Sequence, residues 1–160
     1  MNHWIAHLAT QDARFHPDSP TEIEDFGRVL ATADLAQGFV ATVTDLGLIA
    51  VAGEDAAGFL HNQLTNDVEH LGVNEARLAG YCTPKGRLQA TFQMWRDLDT
   101  VYLQLPRAIQ APLQKRLTMF VLRAKAKLRD ATDEPRYGAV LGLGGAAAAS
   151  VLRACAGALP

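Results

Sequence analysis

Four polar side chains follow an apolar helical face and carry the hydrogen-bonding groups that a heteroaromatic ligand requires. They are Gln63, Thr65, Asn66 and Asp67. An ionised Asp67 only accepts hydrogen bonds, whereas the amides of Gln63 and Asn66 both donate and accept. A ring with an amino group, a ring N–H and a carbonyl needs this mixed set. The same residue types also end helices, with Asn66 left-handed and Asp67 bonded to the backbone, and the types alone favour this structural interpretation.

A second polar corner follows at Thr83-Pro84-Lys85-Gly86-Arg87. Its composition is typical of a turn between strands, and such turns usually carry solvated cations. Lys85 and Arg87 are nevertheless suited to carboxylate ligands, because charge-assisted hydrogen bonds are the stronger ones. We expect the two corners to form one binding site if both point into a shared cavity.

The elements that must position these corners are predicted from hydrophobic periodicity and capping signals. Helices that alternate with a meander of three antiparallel strands predict an α+β layer sandwich. The predicted helices are Glu22–Ala33, residues 56–64, Arg107–Phe120 with its start near Pro112, and one after Gly145; the predicted strands are Phe39–Thr44, Leu46–Val51, Asn74–Cys82, Arg87–Met94, Val101–Leu105, Leu122–Arg129 and Tyr137–Leu143. We expect a mobile arm over residues 1–20, a main domain over 21–135 and an incomplete second subdomain over 136–160.

The composition is that of a globular protein with enough apolar residues to form a core. Of the 160 residues, 49% are hydrophobic and 20% are charged, and the formal net charge is −2. Nothing in this balance indicates a nucleic acid or an anionic membrane as partner. Cys82 and Cys155 lack the paired spacing of a zinc or redox motif, which favours a reduced, cytoplasmic protein. The apolar segment Gly138–Pro160 consists mainly of Ala and Gly and predicts a core helix rather than a membrane span.

Two further patterns allow a functional and a structural interpretation, and both favour the structural one. The alternating cations Arg123, Lys125, Lys127 and Arg129 predict one cationic strand face, which could bind RNA. Solvated lysines on an exposed strand are more common, and no aromatic residues interleave with these cations. The segment Gly142–Ala147 matches a dinucleotide fingerprint, but small residues at a close strand–helix contact explain it better. The five histidines form no metal-binding pattern, and no catalytic group stands out.

The two corners, taken in this order, resemble the folate-binding YgfZ family, whose relatives include the glycine-cleavage T-protein. The resemblance begins with the apolar strand at Leu46 and includes Phe59-Leu60-His61-Asn62-Gln63-Leu64-Thr65-Asn66-Asp67-Val68 and the Lys85-Gly86-Arg87 corner. It ends near Leu128, so it covers about half of the chain. It implies a ferredoxin-like layer with an antiparallel meander, as in the N-terminal domain of T-protein-like proteins.

The resemblance also implies a function. It implies that Gln63, Thr65, Asn66, Asp67, Lys85 and Arg87 bind tetrahydrofolate, and that iron–sulfur client proteins are partners of a factor in iron–sulfur cluster assembly or repair. Nucleic acid and membrane partners are not expected. The alternatives are a folate-dependent aminomethyltransferase of the T-protein type and an RNA- or protein-interaction domain that uses the basic strand.

Two departures from the family pattern bear on these alternatives. Aminomethyltransferases carry an Asp-Asp pair after the glycine corner, whereas this chain has Gln89-Ala90, which argues against one-carbon transfer. The YgfZ signature Lys-Gly-Cys-Tyr-x-Gly-Gln-Glu does not occur in these residues. We therefore expect the chain to be the N-terminal part, or a truncated product, of a longer folate-binding protein.

Overall fold

The computed structural model describes residues 3–157, which form two compact units. One unit comprises residues 46–134, and the other, called the terminal unit here, combines residues 3–45 with residues 135–157. Residues 21–45, which the sequence assigns to the main domain, belong to the terminal unit. In chain order, the elements are α1 (His3–Ala9), β1 (Arg14–Phe15), β2 (Ile23–Asp25), α2 (Thr32–Gln37), β3 (Phe39–Thr42), β4 (Leu46–Ala52), α3 (Ala56–His61), β5 (Ala76–Cys82), β6 (Leu88–Asp97), β7 (Thr100–Pro106), α4 (Arg107–Phe120), β8 (Lys127–Asp130), β9 (Leu141–Gly144) and α5 (Ala148–Ala156).

Residues 46–134 form one five-stranded sheet with the strand order β5-β6-β7-β4-β8. Every neighbouring pair is antiparallel, and β5, β6 and β7 form the predicted meander. Alternate residues of the strands, including Ile49, Phe92 and Leu103, share a core cluster with Leu60 of α3 and Leu117 of α4. This period-two pattern places both helices on the same face of the sheet. The predicted α+β class with an antiparallel meander is confirmed.

Helix α4 has the predicted bounds but continues through Pro112 instead of starting near it. The proline lacks a backbone donor, so the helix forgoes one internal hydrogen bond there. Its buried residues Gln110, Leu113 and Leu117 hold the helix against the sheet. Packing of this face outweighs the local cost of the proline.

The predicted strand Leu122–Arg129 is too long, because only β8 pairs with β4. Leu122 has a φ of 45°, which is incompatible with a strand. The carboxylate of Asp55 accepts a hydrogen bond from the Lys125 backbone N–H at 2.7 Å, and this bond holds the chain in a turn before β8. The four cations therefore do not form one continuous strand face.

The terminal unit contains two small antiparallel sheets, β1-β2 and β3-β9. The predicted helix Glu22–Ala33 is wrong: Ile23–Asp25 is strand β2, and the nearest helix is α2. The guanidinium of Arg14 on β1 binds the Asp25 carboxylate in two hydrogen bonds of 2.5 Å, which favours the strand pair over the helix. Within residues 3–157, no helix has the combination of length and apolar character that a membrane crossing requires.

Candidate functional site

The first corner follows α3 and lies along the outer edge of β5, the end strand of the main sheet. Leu64 forms a bridge with Tyr81 of β5. The Thr65 N–H donates to the Gly80 carbonyl at 2.9 Å, and the Gly80 N–H donates to Thr65 Oγ1 at 2.8 Å. These two bonds satisfy both backbone groups of a buried glycine. The corner therefore completes the edge of the sheet.

Asn66 and Asp67 are also bonded within the protein. Asn66 Nδ2 donates to the Leu78 carbonyl at 2.8 Å, and Asn66 Oδ1 accepts from the Asp67 N–H at 2.7 Å. Asn66 is not left-handed, so this part of the helix-ending interpretation is wrong. Asp67 bonds to backbone as that interpretation expects, because its carboxylate accepts from the His70 N–H at 3.2 Å.

Two histidines that the sequence leaves unassigned flank the Asp67 carboxylate. His70 Nδ1 lies 2.8 Å from Asp67 Oδ2, and His61 Nδ1 lies 3.2 Å from Asp67 Oδ1. The His70 backbone N–H is the main cause that lowers the pKa of Asp67, and the imidazole of His70 adds to it. Asp67 is thus held as a carboxylate. The spacing of His61 and His70 around Asp67 was the available sequence signal, but it resembled no known ligand set.

Arg77 of β5 secures the loop that carries Asp67. Its guanidinium donates to the carbonyls of Asp67 and His70 at 3.2 and 3.0 Å, and to the Glu75 carboxylate at 2.5 Å. Glu75 in turn accepts a bond from the Gly72 N–H at 3.3 Å. Charge-assisted bonds to two carbonyls fix the loop firmly.

The second corner is a tight hairpin turn between β5 and β6. The Gly86 N–H donates to the Thr83 carbonyl, and the Thr83 N–H donates to the Arg87 carbonyl, both at 2.8 Å. Gly86 has a φ of 74°, a conformation that glycine adopts without a steric penalty. This geometry exposes Lys85 and Arg87 at the tip of the hairpin.

Gly80 is the point at which the two corners approach each other. A Cβ at Gly80 would lie 3.2 Å from Thr65 Oγ1 and 2.8 Å from Leu88 Cδ1. Thr65 belongs to the first corner, and Leu88 directly follows the second. Both side chains therefore cover the same glycine, on the sheet face opposite to the core residues Ala79 and Tyr81.

Several polar groups near this point remain available. Within residues 3–157, the side chains of Gln63, Lys85 and Arg87 have no hydrogen bond or ion pair. The apolar side chains Leu78 and Leu88 are 74% and 57% exposed. A surface of this kind can cover a flat apolar ring and still offer polar groups to its rim.

Other clusters lie elsewhere in residues 46–134. An open groove of about 420 Å³ runs along α4 and ends at Asp130, away from both corners. Lys125 is paired with Glu54, and Arg129 with Glu134, so two of the four basic-strand cations are neutralised. In the part of the chain that the structure describes, no three His, Cys, Asp or Glu side chains are arranged to hold a metal ion.

Comparison with known proteins finds sequences similar to this chain among YgfZ proteins. No family model matches the chain. It is 31% identical over 150 residues to the tRNA-modifying protein YgfZ of Edwardsiella ictaluri, covering 93% of this chain and 41% of that protein. The predicted resemblance to the YgfZ family is confirmed. The YgfZ protein of Hamiltonella defensa is 28% identical over 121 residues, covering 76% of this chain and 35% of that protein.

A solved structure shows the same fold. The glycine cleavage system aminomethyltransferase T of Bartonella henselae superposes with a TM-score of 0.69 and 17% identity, covering 100% of this chain and 44% of that chain. This similarity confirms the predicted T-protein-like fold. The chain spans about two fifths of the length of the YgfZ proteins that it matches.

Proposed function

We propose that this chain forms part of a tetrahydrofolate-binding protein of the YgfZ type. The protein would act in the cytoplasm, in iron–sulfur cluster assembly or repair, with iron–sulfur enzymes as its clients. The YgfZ relatives are named as tRNA-modifying proteins, and we propose that this protein also contributes to tRNA modification. The observation that carries the proposal is the approach over Gly80 of Thr65, from the first corner, and Leu88, the residue directly after the second corner.

The hydrogen bonds of the first corner suggest a division of roles. Both ends of the Asn66 amide and both oxygens of Asp67 are bonded within the protein, so these residues hold the corner in shape. The Gln63 amide is available to a pterin ring. Thr65 Oγ1 accepts from Gly80, which leaves its own hydrogen free to donate to a ligand.

The second corner supplies the positive charge for binding the ligand. Lys85 and Arg87 are exposed and unpaired, and they would bind the carboxylates of the folate glutamate tail. Exposed Leu78 and Leu88 would pack against the apolar part of the ligand. Binding would therefore bury apolar surface and satisfy charge at opposite ends of one elongated molecule.

The residues after the hairpin favour a binding protein over an aminomethyltransferase. Ala90 is 6% exposed and pairs with Tyr81 in the core face of β6, and Gln89 is exposed. Neither residue can share a proton with a folate nitrogen as a carboxylate would. We therefore propose retention of the ligand without one-carbon transfer at this site.

Anaerobic calorimetric titration with tetrahydrofolate tests the proposal. It should be performed on the 160-residue chain. We expect saturable heat of binding. Gln63→Leu should lower the affinity about tenfold, which is the effect of one lost hydrogen bond. Gln37→Leu, the same substitution at an exposed glutamine of α2, serves as the matched control. Absence of heat from the wild-type chain would refute the proposal.

A further inference from the structure

His61 Nδ1 faces two groups that make opposite demands on it. The buried Val68 N–H points at this nitrogen from 3.4 Å, and Asp67 Oδ1 lies 3.2 Å from the same nitrogen. An Nδ1 without a hydrogen accepts the hydrogen bond from the Val68 N–H but cannot donate one to the Asp67 carboxylate. A protonated Nδ1 donates to Asp67 and can no longer accept from Val68. Only one of the two contacts can therefore be a hydrogen bond at a time.

The alternative partners of these groups are unequal. Asp67 keeps the bonds from the His70 N–H and the His70 imidazole in either state of His61. Val68 is 0% exposed, and among the described residues its N–H bonds to nothing other than His61. Protonation of His61 therefore gains an ion pair and leaves a buried backbone donor without an acceptor. The chain can regain that acceptor only by moving the segment that joins α3 to the corner.

We infer that His61 is a proton-dependent positioning residue, which fixes the corner Thr65–Asp67 in one geometry when Nδ1 is bare and in another when Nδ1 is protonated. Imidazole is the side-chain type whose charge can change within the physiological range of pH. The consequence for ligand binding rests on the proposed function, because the corner is part of the proposed folate site.

The neighbouring charges are consistent with a response that centres on His61. Asp67 and His70 face it from the loop. Arg77 of β5 binds the carbonyls of both these residues and is itself paired with Glu75. Glu69 reaches over α3, where its Oε1 would lie 3.3 Å from a Cβ on Gly58. The carboxylates in this group stay ionised near neutral pH and the guanidinium stays protonated, so neither type changes charge there.

Nuclear magnetic resonance tests the exchange without any ligand. In the wild-type chain, the amide resonance of Val68 should shift with the same midpoint as the His61 ring as the pH falls from about 8 to about 5. Hydrogen exchange of this amide, corrected for its intrinsic pH dependence, should become about tenfold faster in the protonated form. His61→Gln should abolish both responses, whereas His70→Gln should leave Val68 coupled to His61. A Val68 amide that ignores the His61 titration would overturn the inference.

The binding arm separates this inference from the proposed function. Affinity for tetrahydrofolate, measured anaerobically at about pH 7.5 and about pH 5.5, should differ several-fold in the wild type and become nearly constant in His61→Gln. No binding at either pH refutes the proposed function, while the Val68 titration still decides the inference. Binding with identical pH dependence in the wild type and His61→Gln overturns the inference and leaves the proposed function standing.

Discussion

Gly47 on β4 lies directly against the side-chain amide of Gln110 on α4. A Cβ at position 47 would overlap with Gln110 Oε1 and lie 2.7 Å from Gln110 Cδ. The buried amide donates to the Leu48 carbonyl at 3.2 Å and accepts from Arg107 Nη1 at 2.7 Å. A glycine on the strand thus provides the space for a polar side chain that joins the helix to the sheet.

Gly47→Ala should lower the free energy of unfolding by about 1–3 kcal/mol, because the added methyl group displaces the amide. Urea denaturation of the protein measures this loss. In the double variant with Gln110→Ala, the methyl group gains space, so the two losses should sum to less than their separate values. Strict additivity would contradict the proposed contact. Gly58→Ala, inside α3, is the control and should stabilise by about 0.5–1 kcal/mol.

Thr65→Val should destabilise the protein by about 1–3 kcal/mol, since it leaves the buried Gly80 N–H without an acceptor. Thr65→Ser keeps the oxygen and should cost much less. Thermal unfolding followed by circular dichroism measures both. A larger loss in Thr65→Ser than in Thr65→Val would show that the methyl group, and not the hydroxyl, matters at this position.

Charge reversal at the second corner, Lys85→Glu with Arg87→Glu, should weaken tetrahydrofolate binding by a factor of at least about ten, because carboxylates of the ligand would meet carboxylates of the protein. The melting temperature should not change, since both side chains are exposed and unpaired. Lys115→Glu on α4 is an equally exposed control. Loss of affinity in the control as well would indicate a general charge effect rather than a contact.

Acid should destabilise the unit of residues 46–134 through Asp130. Partial burial opposes ionisation, but bonds from Thr132 and Arg107 outweigh it and lower the pKa from 3.8 to about 2. Because the folded pKa is the lower one, this stabilisation is complete above about pH 4 and disappears as the pH falls towards 2. Asp130→Asn should flatten the pH dependence of stability in this window, whereas Asp99→Asn in an exposed turn should not. Unfolding curves at intervals of pH provide the comparison.

Leu122→Gly should raise the free energy of unfolding by about 1 kcal/mol. Leu122 has a φ of 45° and is 86% exposed, so glycine relieves backbone strain without a loss of packing. Leu122→Ala removes the same exposed side chain but keeps the Cβ, and it should give no such gain. A gain of equal size in both variants would mean that side-chain exposure, and not φ, sets the cost.

Long periodic segments of this chain predicted their own structure. The alternation over Leu88–Met94 and the apolar face of Arg107–Phe120 specify β6 and α4, since burial of one face decides each element. Predictions from local sequence were wrong where contacts with residues distant in the sequence determined the structure. The predicted helix Glu22–Ala33 was overridden by the pairing of β1 with β2, and the alternation after Leu122 by the bond between Asp55 and Lys125.

Prediction of the candidate site from sequence was limited in the same way. Residue types indicated that Gln63–Asp67 could bind a ligand, but the sequence could not reveal that the Asn66 amide is bonded at both ends. Its partner Leu78 lies twelve residues away on a strand edge. Likewise, His61 gained its significance only from the folded positions of Asp67 and Val68.

The bonds from Thr65 and Asn66 to β5 link recognition to solubility. If these two side chains were lost, the outward carbonyl of Leu78 and the outward N–H of Gly80 would be free to recruit a strand from another molecule. A descendant that no longer needed a ligand would still be under pressure to keep these two side chains, because discarding them would promote aggregation. Thr65 and Asn66 can therefore be retained in a protein that has lost its ligand-binding activity.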